Sequence, residues 1–564
     1  MKRVVGLIAG AAVLTVCVGG NGAPARAGAP PGAPVPDVGV ADANTGLSWG
    51  PCDEAKKSGG AALAPAGGVE CATVRVPLDH AKPFGRHIGV AVNRVKAASV
   101  RPAGRSAVSR RDGSGVPRQR EPHLGVLLVN PGGPGASGRD LARFVASALP
   151  HDVAARFDVI GFDPRGVGKS EPALSCADPA RYYTPPALDN VPRTRAEETA
   201  LLNRAKTYAR GCAERQAWML PHMTTENTAR DLEVIRRALG TEQISYLGYS
   251  YGSYLGAAYA TLFPERVKRL ILDSVVDPDS VWYSANLAQN HAFHRRHRDF
   301  LTWVAQNDGV YNLGRTEDAV RAEWDAMRIR LRARPAEGVV GPSELDDIFT
   351  VAGYTDAVWP TFAGAFAAYA RKGDTKGLVA AHRRHGKKDA ADENGYAVYL
   401  AVQCRDAPWP RDWNTWRADM TASHRVAPFL TWPNAWYNAP CAFWPVPSTT
   451  PVTLRAAGTL PPILMIQARR DAATPYPGAL RMRTIFPSAR LLVVGGGNHG
   501  VSLAGNGCVD RHVAAYLRDG TLPARVGGEG GDIKCAGLAA PRPAARMSAA
   551  TGPDHVRLVD LLHG

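Results

Sequence analysis

Much that would announce a function is missing from this 564-residue chain. No C-x-x-C pair occurs among its nine cysteines and no histidine-rich cluster accompanies them, so no metal site is expected. The N-terminal apolar run from Val4 to Val18 falls short of the roughly 20 residues that cross a bilayer, so no stable membrane span is expected. Arg101, Arg105, Arg110, Arg111, Arg118 and Arg120 face only Asp112 and Glu121, without an aromatic residue between them on which a base could stack. That stretch reads as a solvated loop, and no nucleic acid is expected as a partner. Gly168-Lys169-Ser170 ends like a phosphate-binding loop, but the motif requires a glycine where Asp163 stands. Internal repeats are absent, and no cofactor is expected.

What is present suits a large exported enzyme. Apolar residues make up 45% of the chain, enough for an extensive core. Lys2-Arg3, the apolar run and Ala25-Arg26-Ala27 form an export signal over residues 1–27. Its removal takes the formal charge from +16 to +13, because Lys2, Arg3 and Arg26 leave with it. A lipid anchor on Cys17 is disfavoured by Val16, where a small residue belongs. Eight further cysteines in an exported chain imply disulfides; about 105 connectivities stay open to sequence alone, and the expectation follows their neighbouring couples, Cys52 with Cys71, Cys176 with Cys212, Cys404 with Cys441 and Cys508 with Cys535. A Pro/Gly/Ala-rich lead-in covers 28–47, and strand-like alternation on either side of Asp79–Gly85 predicts an opening hairpin. Short apolar runs at 125–129, 157–162, 244–247, 270–272, 462–468 and 489–494 predict strands buried on both faces, as in a mostly parallel sheet covered by helices.

That α/β rhythm breaks between Trp282 and Trp444, which hold ten of the twelve tryptophans in a mainly helical stretch. The organisation expected is a catalytic core over 48–281 and 451–536, a helical lid insertion over 282–450 and a tail over 537–564. Most of the tryptophans are expected to pack helices together, with a few lining an apolar pocket beneath the lid.

Gly248-Tyr249-Ser250-Tyr251-Gly252 follows an apolar run and precedes a helical face, the setting of a nucleophile elbow. A serine nucleophile needs a histidine base oriented by a carboxylate. Two late strands end in Arg469-Arg470-Asp471-Ala472-Ala473-Thr474-Pro475 and Gly495-Gly496-Gly497-Asn498-His499-Gly500, placing Asp471 and His499 at the same sheet end as Ser250. No other histidine combines a preceding strand, a glycine-rich turn and a late position. The backbone N–H groups of Tyr251 and of the Gly132-Gly133 loop are the candidate oxyanion donors.

Taken with Gly132-Gly133-Pro134-Gly135 and Asp163-Pro164-Arg165-Gly166-Val167-Gly168-Lys169-Ser170, these motifs resemble, in order, the prolyl iminopeptidase family of α/β-hydrolases, and within it the exported tripeptidyl aminopeptidases of actinomycetes. The resemblance implies an α/β-hydrolase fold and removal of short peptides, tripeptides by that likeness, from free N-termini. By that likeness Gly133 matches the family's oxyanion-hole glycine, of which only the backbone is needed, whereas Pro131 departs from the family's His-Gly-Gly-Pro-Gly, so the pocket beside the loop must differ. Holding a peptide's ammonium group calls for a lid carboxylate, for which Asp406 and Asp356 are candidates. A carboxylesterase or lipase using the same triad, and a catalytically inert binding module, are the competing readings.

Overall fold

A computed structural model describes residues 47–52, 68–97, 122–526, 528, 530–544 and 558–562. The export signal, nearly all of the lead-in, the arginine-rich loop and much of the tail lie outside the described residues.

The apolar runs become strands of one ten-stranded sheet: β1 (Gly50–Pro51), β2 (Val69–Pro77), β3 (His87–Val95), β4 (Gly125–Asn130), β5 (Phe157–Phe162), β6 (Ile244–Tyr249), β7 (Val267–Asp273), β8 (Leu464–Ala468), β9 (Arg490–Val494) and β10 (Ile533–Cys535). The opening hairpin pairs β2 and β3 antiparallel from Val69↔Val95 to Pro77↔His87. The sheet order is β1-β2-β3-β5-β4-β6-β7-β8-β9-β10, parallel from β5 onward. Successive side chains serve opposite faces. Leu128, Leu270, Met465 and Leu491 join one core cluster, and Leu127, Ile271, Leu464 and Leu492 join the other.

The chain runs from β4 outward to β5 and then returns across β4 to β6, so connections leave on opposite sides where β4 and β6 meet. Open α/β sheets place ligands at the carboxyl ends of strands beside such a reversal. Registers Asn130↔Gly248, Asp273↔Ile466 and Ala468↔Val494 bring the ends of β4, β6, β7, β8 and β9 together there.

Two helical excursions roof that edge. The longer one, between β7 and β8, includes Tyr283–Gln306, Glu317–Ala333, Pro342–Tyr354, Lys376–His385, Ala390–Asp406 and Thr431–Asn438. It has its own apolar centre, where Trp303, Trp324 and Trp359 pack with Phe300, Phe349 and Phe362. The other excursion, between β5 and β6, carries the 22-residue helix Arg195–Gln216, closed by a Thr194–Glu197 capping box. Simple strand and helix alternation was expected in that interval. The difference arises because the helix has little apolar asymmetry and packs through a few residues, Leu201, Ala205, Tyr208 and Cys212. The four cysteine couples are bonded as expected.

Candidate active site

β6 is buried throughout, and the helix Tyr251–Leu262 begins two residues after its end, so Ser250 alone makes the turn. Its backbone lies at φ 56° and ψ −126°, which L-residues rarely adopt. Hydrogen bonds hold it there: Ser250 N–H donates to the Asp273 carbonyl at 3.0 Å, and the Ser250 carbonyl accepts from Ser253 N–H at 2.8 Å and Ser253 Oγ at 2.6 Å. The flanking glycines are enforced by contact. A Cβ at Gly248 would stand 2.3 Å from the Gly252 carbonyl oxygen, and one at Gly252 would stand 2.7 Å from that of Asn130.

The loop after β4 folds onto this turn, with Gly132 N–H donating to Asn130 Oδ1 at 3.0 Å. Gly133, Ser250 and Tyr251 border one cavity. Tyr251 opens its helix, where backbone N–H groups have no acceptor within the helix.

Asp471 and His499 follow β8 and β9. His499 Nδ1 lies 2.9 Å from Asp471 Oδ2 and 3.0 Å from Oδ1, with both side chains buried. Asp471 also accepts from Ala473 N–H at 2.9 Å, Thr474 N–H at 3.0 Å and Thr474 Oγ1 at 3.0 Å, which fixes its orientation. The other ring nitrogen, Nε2, is buried with no hydrogen-bond partner among the described residues. Tyr354 stands edge-on to the imidazole, 5.3 Å between ring centres, and its carbonyl accepts from His499 N–H at 2.8 Å.

Asp273, at the end of β7, ties the serine turn to the histidine loop, a role the sequence reading did not assign. Its carboxylate accepts from Ser502 N–H at 2.6 Å and Ser502 Oγ at 2.5 Å, and also from Val501 N–H and Ser274 Oγ. Ser274 Oγ in turn accepts from Gly500 N–H at 2.8 Å. Burial pushes the Asp273 carboxyl up in spite of these donors. The only trace in sequence is an acid closing an apolar run.

The cavity over the strand ends has a volume of about 640 Å³. Gly133, Ser250, Tyr251 and Thr474 border it from the sheet side, and Tyr354, Tyr396, Tyr399 and Tyr437 from the helical side. Of the ten tryptophans between 282 and 444, only Trp282 borders it. The rest pack helices, so tyrosine supplies most of the aromatic lining, with Phe293 beside it.

Asp406 and Asp356, the carboxylates expected to meet a substrate amine, do not border the cavity. Asp406 is spent on Thr225, accepting from its N–H at 2.8 Å and its Oγ1 at 2.5 Å, and burial pushes its carboxyl up to about 6. Asp356 pairs with Arg296. The carboxylates that do border the cavity are Asp277, Asp347, Asp392 and Asp560. Asp277 binds Arg481 and Ser280 Oγ, Asp392 accepts from the N–H groups of Lys388 and Asp389, and Asp560 pairs with Arg384. Asp347 has no hydrogen bond and no ion pair within 4 Å among the described residues.

The Asp163–Ser170 stretch serves structure. Asp163 accepts from Ser137 Oγ at 2.5 Å and Lys169 N–H at 2.9 Å, and Arg165 forms a buried two-pronged pair with Asp231 at 2.8 and 2.6 Å. Among the described residues no group of acids, histidines and cysteines could hold a metal ion, and no helix is long and apolar enough to cross a membrane.

Residues 125–505 match the family model described as alpha/beta hydrolase fold. A protein of Streptomyces coelicolor named tripeptidyl aminopeptidase is 45% identical over 483 residues, covering 84% of each chain. Serine protease Hip1 of Mycobacterium tuberculosis is 31% identical over 498 residues, covering 85% of this chain and 89% of its own. Carboxylesterase B of the same species is 31% identical over 470 residues, covering 81% and 85%.

Proposed function

Since the chain belongs to the α/β-hydrolase family, as a serine hydrolase related to tripeptidyl aminopeptidases and to a serine protease, we propose that it is an exported exopeptidase releasing short peptides, of three residues, from free N-termini. The observation that carries this reading is the Asp471–His499 hydrogen bond set at the strand ends beside a strained Ser250 turn, under a cavity large enough for a peptide.

In this reading Ser250 Oγ attacks the carbonyl of the scissile bond while His499 Nε2 takes the hydroxyl proton. Asp471 keeps the Nδ1–H tautomer and stabilises the imidazolium. The N–H groups of Gly133 and Tyr251 stabilise the oxyanion of the tetrahedral intermediate, where losing one such donor costs about 3 kcal/mol of barrier lowering. Collapse expels the shortened peptide as an amine, which takes the proton from His499 and leaves an acyl ester on Ser250. Water then attacks that ester, with His499 again accepting and returning the proton, and the N-terminal fragment departs as an acid. The four disulfides favour an oxidising, extracellular setting.

Ester hydrolysis would use the same groups, and the relative named carboxylesterase B favours that as the second reading. Side-by-side assays on a free tripeptide anilide, its N-acetylated form and a p-nitrophenyl ester, with mass detection of fragments, separate the two. Cleavage of the free peptide, abolished by Ser250→Ala, is expected. Turnover of the ester alone would give the esterase reading its place.

A further inference from the structure

One face of the helix Pro342–Tyr354 borders the cavity, through Asp347, Thr350, Val351 and Tyr354. These positions are spaced i, i+3, i+4 and i+7, a single helical stripe. At one end of the stripe the Tyr354 carbonyl accepts from His499 N–H at 2.8 Å. At the other end stands Asp347, whose exposed surface faces the cavity although burial among the surrounding helices pushes its carboxyl up to about 6.

The nearby cations leave that carboxylate open. Lys387 lies with its ammonium 3.9 Å from the centre of the Tyr437 ring and 5.5 Å from that of Tyr396, and makes no ion pair within 4 Å among the described residues. Arg204 is taken up by the carbonyl of Tyr182 at 2.8 Å and by the Tyr182 ring. The carboxylate thus faces the cavity with no protein donor or cation on it among the described residues, and an arriving ammonium group would pair with it.

Length then follows from geometry. From Asp347 to Tyr354 the helix rises about 10 Å, at 1.5 Å per residue. An extended peptide advances about 3.3–3.6 Å per residue, so three residues also cover about 10 Å. We propose that Asp347 anchors the substrate's N-terminal ammonium, and that the helix is thereby a ruler that places the third peptide bond at Ser250. This rests on the aminopeptidase reading above and names its length-setting residue. The far end is not a closed wall: a second cavity of about 130 Å³ shares Asp347, Lys387, Tyr396 and Tyr437 with the first. Charge, more than steric stop, therefore does the counting.

The ruler can be reset. Thr350 lies one turn nearer His499, so moving the carboxylate there shortens the span by about 4.5 Å, a little over one peptide residue. The test uses the full chain, a free-N-terminus hexapeptide with mass detection of fragments, and p-nitrophenyl ester turnover as the measure of intact Ser250 chemistry in each variant. Asp347→Asn should reduce kcat/KM on the hexapeptide by about 30-fold or more relative to ester turnover, the loss expected when one partner of a desolvated charge pair is removed. Asp347→Glu should restore much of it. Asp347→Asn combined with Thr350→Asp should release dipeptides in place of tripeptides. Tripeptide release by the parent enzyme with Asp347→Asn unaffected, or a double variant that still releases tripeptides at the parent rate, would overturn the ruler alone. A parent enzyme that turns over the ester and leaves free peptides intact would overturn the aminopeptidase reading itself.

Discussion

Asp347 and Asp406 both belong to helices of the insertion and have carboxyls pushed up to about 6 by burial, yet only Asp347 borders the cavity. Thr225 supplies Asp406 with two donors, whereas Asp347 has none among the described residues. This difference carries a pH signature. Lys387 and Arg204 pull the Asp347 carboxyl down, Glu344 pushes it up, and burial exceeds them all. Below about pH 6 the group is therefore protonated and neutral, and its hold on an ammonium weakens. We expect KM for a free peptide to climb as pH falls through 6, while KM for the N-acetylated peptide or the ester stays level. The climb should vanish in Asp347→Asn. Parallel KM profiles for free and blocked substrates would show that Asp347 does not meet the amine. An Asp in a sequence declares its type but not whether backbone donors have claimed it, which is why Asp406 and Asp356 were reasonable expectations and Asp347 was not visible.

The elements that meet at the strand ends were legible because each writes a local pattern: an apolar run, then a glycine-flanked turn at Ser250, a polar turn closed by Pro475 at Asp471, or a glycine-rich turn at His499. The stripe at Asp347, Thr350, Val351 and Tyr354 is not legible in this way. Its helix is nearly buried all round, so no polar face marks the side that borders the cavity. The turn Leu558–Leu562 escaped notice for a related reason, since five residues are too few to show a period. It packs Leu558, Val559 and Leu562 into buried positions, and Val559, Asp560 and Leu562 border the cavity. Gly500, directly after His499, permits this fit: at φ +73° it accepts Leu562 so closely that a Cβ would stand 2.4 Å from Leu562 Cδ1. The magnitudes say what holds the turn. Burying each of three large apolar side chains is worth about 1.5–3 kcal/mol as an upper figure, whereas an exposed ion pair such as Arg384–Asp560, at 3.2 Å, contributes about 0–1 kcal/mol. A chain ending at Arg557 should lose several kcal/mol in urea unfolding, and Asp560→Asn should lose under 1 kcal/mol, on the same scales. Equal losses in the two would mean that the ion pair, and not the apolar contact, seats the turn.

Across the molecule the bridges are spread over the two edges of the sheet and the two helical excursions. Cys52–Cys71 closes the antiparallel edge, Cys176–Cys212 fastens the first helical excursion, Cys404–Cys441 fastens the second, and Cys508–Cys535 joins the last long helix to β10. Their separations are 19, 36, 37 and 27 residues. In the chain-entropy view, loops of this length each stabilise by about 3–4 kcal/mol, and measured removals cost about 2–5 kcal/mol. Against a net stability of about 5–15 kcal/mol for a folded domain, the four together rival the whole. Cys404–Cys441 is the informative one, because it binds the end of the helix carrying Tyr396, Tyr399 and Gln403, all of which border the cavity, to the segment following Tyr437. Replacing both cysteines by alanine should cost about 2–4 kcal/mol in urea unfolding. It should also raise KM for free peptides more than it lowers ester turnover, since the roof loosens while the Ser250 turn and the His499 loop remain braced by Asp273. A reductant that leaves the thermal midpoint and the peptide KM of the parent protein unmoved in mild urea would show that these bridges do not carry the insertion, and that its apolar centre around Trp303, Trp324 and Trp359 holds the roof unaided.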